Sequence, residues 1–87
     1  MRTPKATLRM NGLKMMTTSV EFTFGLNDVA SAIAIMKDER LHYTRPTVFA
    51  KVRDLFEEYG CGACYHAEGL DVDSCLPDAK ELFPELA

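Results

Sequence analysis

Eighty-seven residues, 47% apolar and 26% charged, make one domain (1–87) around one core and exclude a disordered chain. A net charge of −3 hides a split: residues 1–53 hold nine Lys/Arg against four Asp/Glu, and residues 54–87 hold one against nine. Such asymmetry reports a partner more than a fold, and it turns attention to contact with other macromolecules.

In chain order, Asn11-Gly12 separates the alternating runs Ala6–Met10 and Leu13–Thr17. Asn-Gly suits the two positive-φ positions of a type I′ turn, so a tight hairpin is expected, with Met10 opposite Leu13 and Leu8 opposite Met15. The same register sets Arg9 against Lys14, either as two solvated side chains or as an anion site. Val20, Phe22 and Phe24 alternate with Glu21 and Thr23 and read as a strand over 19–24. Asn27 or Asp28 is expected to cap a helix running to about Arg40, apolar nearly all round and so buried on more than one side. Thr44 caps a second helix with Pro46 in its first turn and Gly60 at its end. Its stripe is Val48, Phe49, Val52, Leu55, Phe56 and Tyr59. Residues 77–83 form a short closing helix before Pro84. The expected fold is α+β: a small antiparallel sheet, the hairpin plus strand 19–24, packed against two main helices.

The first sixteen residues hold four basic side chains and no apolar run, so no secretory signal is read there. The longest apolar run, 32–36, is too short for a bilayer. With three cysteines, an odd number, the expectation is a reducing, cytoplasmic setting and no membrane partner.

Cys61-x-x-Cys64-x-His66, with Cys75 further on, is the candidate metal cluster. Two thiolates of a CxxC turn can meet one ion, and His66 with Cys75 would complete a tetrahedral zinc site that stabilises a thin core. The other reading is a Gly-rich turn with small buried thiols. As a dithiol redox pair the motif is badly placed. It follows a helix C-terminus, whose partial negative charge disfavours a thiolate. Cys64 and His66 lack an orienting third group for nucleophilic catalysis, Asp71-x-Asp73 lacks the rest of a calcium loop, and no phosphate-cradling glycine motif occurs. The chain is therefore read as no enzyme.

Ser19–Phe24 as strand, a helix, a short turn, and Thr44-Arg45-Pro46-Thr47 opening a second helix resemble the ribbon-helix-helix regulators. That resemblance implies a homodimer whose paired strands enter the DNA major groove. Ser19, Glu21 and Thr23 would then face the bases, with Thr44 and Arg45 near a phosphate. Arg9 and Lys14 add to that basic front half, and an antitoxin variant would use its acidic end on a partner.

The leading expectation is different. The acidic third, with Asp54, Glu57, Glu58, Glu68, Asp71 and Asp73 at its centre, would meet a basic surface on a protein or nucleoprotein machine. In size, charge split and want of catalytic residues the chain resembles the small inhibitors of phages and mobile elements, anti-CRISPR proteins among them. The expected function is thus a non-enzymatic inhibitor or adaptor, with the DNA-binding regulator or antitoxin as the alternative.

Overall fold

The structure is a computed structural model that describes residues 24–59 and 63–87 with their side chains. Ahead of them, backbone pairing sets Ala6–Met10 antiparallel to Leu13–Thr17 and parallel to Phe22–Thr23. The body itself holds no strand and no sheet. It is a small helical domain, 74% helical over the described residues. That corrects the α+β expectation, in which a sheet forms one face of the core.

The helices are α1 (Leu26–Asp38), α2 (Arg45–Tyr59), α3 (Ala63–His66) and α4 (Leu76–Leu82), with 3₁₀ turns at Asp73–Cys75 and Pro84–Leu86. The reason for the helical body lies in α1. Val29, Ala30, Ala32, Ile33 and Ala34 are all buried, so its surface must be covered from several directions. Its alanines let neighbouring backbones come close. α2, α3 and α4 all pack against it, and Phe83 and Leu86 close the far side of the same core. The one polar side chain buried there, Ser31, donates from its hydroxyl to the Asn27 carbonyl at 2.8 Å, so no orphan donor results.

Phe24, expected as the last residue of a strand, lies just outside one and is a core residue. Its ring meets Phe49 at 5.9 Å and Phe56 at 5.5 Å between centroids, and Phe49 carries the chain of rings on to Phe83 at 6.3 Å. The cap of α1 falls at Gly25, two or three residues ahead of the expected Asn27 or Asp28. Asp28 serves instead from the third helical position, its carboxylate accepting the Gly25 N–H at 3.0 Å. At the start of α2 the Thr47 hydroxyl oxygen accepts the Thr44 N–H at 2.6 Å, while the Thr44 carbonyl takes the Val48 N–H at 2.8 Å. The expected stop at Gly60 lies outside the described residues.

α1 ends in a Schellman arrangement: Leu41 N–H reaches the Met36 carbonyl at 2.8 Å and Arg40 N–H the Lys37 carbonyl at 3.0 Å. The residue that must turn left-handed there is Arg40, at φ 60°, where glycine is the usual occupant. Replacing Arg40 with glycine is therefore expected to stabilise the domain by about 0.5–1 kcal/mol, read as a higher urea midpoint at unchanged slope.

Candidate functional site

Three elements end around one groove. α1 brings Ile35, Asp38 and Glu39; α2 brings Lys51, Leu55, Glu58 and Tyr59; α3 and the following loop bring His66 and Leu70. A second hollow shares Asp38 and Leu70 and continues to Asp71 and Ser74. Glu58, Asp38 and Asp71 thus lie along one strip formed by two adjoining hollows, which Lys51 and Lys37 also line. Tyr59 forms one wall, 49% exposed, its ring centroid 3.3 Å from that of His66. Tyr65, 67% exposed, meets the His66 ring edge-on at 4.8 Å.

The strip is not the one marked by the charge split alone. Asp38 and Glu39 come from the basic front half and join Glu58 in the hollow that α1 and α2 both line. Conversely, two carboxylates of the acidic end are used within the fold. Asp78 accepts from the Lys37 ammonium at 2.9 Å and the Tyr43 hydroxyl at 2.8 Å. Those two bonds, Lys37 first, hold its carboxyl below the usual aspartate range. Glu85 pairs with the Arg45 guanidinium, which also donates to the Leu82 carbonyl at 2.6 Å and lies 4.4 Å over the Phe83 ring. That pairing keeps the Glu85 carboxyl low as well.

Of the acidic residues expected at a partner surface, Glu58 and Asp71 belong to the strip. Asp54 lines a separate hollow with Met36, Leu41 and His42, and its carboxylate lies 3.3 Å from Arg53. Glu57, Glu68 and Asp73 are exposed and outside these hollows. Of the residues assigned to a nucleic-acid contact, Arg45 is engaged as described, and Thr44 is bonded to Thr47. Arg9 and Lys14 are partners in the antiparallel pair, as expected, and their side chains lie outside the described residues. Tyr59 had a place in the apolar stripe of α2, but its position at the last turn carries it past the core. The signals for this groove were the Asp38-Glu39 pair at a helix end and the aromatic Tyr59 at the end of α2; neither shows in a count of charges.

The zinc expectation is corrected. Among the described residues no three His, Cys, Asp or Glu side chains gather to hold a metal. Cys75 is buried in the core beside α1 and Ala79, where a thiol acts as a small apolar group. Cys64 is exposed and directed to Asp28, and His66 stacks on Tyr59. Cys61 lies outside the described residues. The Asp28 carboxyl is pushed above its ordinary value by burial, against hydrogen bonds from the Gly25 and Ala63 N–H groups and from the thiol and N–H of Cys64. One carboxylate therefore ties the entry of α1 to that of α3.

No family model, curated protein or solved structure matches the chain. No helix among the described residues is long and apolar enough to cross a membrane.

Asp78 gives a test with a defined sign. Its folded pKa lies below the ordinary aspartate value of 3.8, so its stabilisation is complete above that pH and is lost as pH falls through the folded value. Because both partners are partly exposed, Asp78→Asn should cost from a few tenths to about 1 kcal/mol at pH 7. The gap from the parent chain should narrow as pH falls below the ordinary aspartate range in denaturant titrations run across the acid range.

Proposed function

We propose that this chain is a non-enzymatic binding protein, an inhibitor or adaptor that docks its acidic C-terminal side onto a basic surface of a protein or nucleoprotein machine. The observation that carries the reading is the strip in which Asp38 joins Glu58 to Asp71 beside the exposed ring of Tyr59. None of Glu57, Glu58, Glu68 and Asp73 has an ion-pair partner among the described residues, so their field is directed outward. An outward field of one sign speeds encounter with an oppositely charged surface and rejects like-charged ones. Lys37–Asp78 and Arg45–Glu85 join the C-terminal segment to α1 and α2.

Small size, one core and an acidic face match the type of inhibitor found among phages and mobile elements, which neutralises a larger machine by covering a basic site. The DNA-binding alternative has less support, since Arg45 is bonded to Glu85 and Leu82 and lies over Phe83.

Fluorescence anisotropy with a labelled arginine- and lysine-rich peptide, and in parallel with a labelled DNA duplex, tests the reading. The peptide should bind with an affinity that falls as salt rises, and Glu58→Gln with Asp71→Asn should weaken it about tenfold. Tight, salt-sensitive duplex binding, or peptide binding indifferent to both substitutions, would overturn it.

A further inference from the structure

We draw no further inference here: the strongest candidate, the open hollow that Met36, Leu41 and Ala50 line where the turn after α1 meets α2, carries nothing because no feature of the structure shows what covers it.

Discussion

A helix with no polar face cannot rest on a surface; it has to be enclosed, and in this protein the enclosure of α1 organises everything that follows it. Val29, Ala30, Ala32, Ile33 and Ala34 leave no stripe for water. In a chain of this length the covering must come from nearly every later segment, so α2, α3, α4 and the final Pro84–Leu86 turn are each drawn to the same central rod. The ring series from Phe24 through Phe49 to Phe83 ties the entry of α1 to the C-terminal end. Little apolar surface is left over, which is why the features available for contact sit at the helix ends.

The charges follow from that enclosure. Winding the acidic tail around α1 brings it against the basic side chains of the first half, and the nearest pairs close: Lys37 to Asp78 and Arg45 to Glu85. Exposed pairs contribute little stability, but with Asp54 beside Arg53 they subtract three carboxylates of the acidic end from the outward field. Of those that remain, Glu58 lies near the end of α2, while Glu57, Glu68 and Asp73 are exposed elsewhere. Near the end of α2, Asp38 and Glu39, acidic residues in a basic stretch, meet Glu58 beside the tyrosine wall. The resulting surface draws on both halves of the chain and is more compact than a whole acidic tail would be.

Much was legible along the chain. The all-round apolar character of α1, the Thr44 start and apolar stripe of α2, and a short closing helix near 77–83 all rest on local periodicity and capping, which neighbouring residues decide among themselves. The errors have a common cause as well. Phe24 alternates like a strand residue, yet the pull of Phe49 and Phe56 takes it into a helical core. Cys64, His66 and Cys75 have ligand-like spacing, yet α3 directs Cys64 to Asp28 and places His66 on Tyr59, while Cys75 is absorbed into the core. Spacing says which residues are near in the chain and leaves open which way each one faces.

Composition and periodicity therefore settled that this is one small domain with a buried central helix and a strongly uneven charge, because those properties depend on short-range order and on simple counting. Which carboxylates stay free, that the groove takes Asp38 and Glu39 from the opposite half, and that Tyr59 and His66 stack beside it all depended on how α2 and α3 are set against α1. That placement follows from how side chains pack around α1, and packing is a property of the assembled core that no single segment contains.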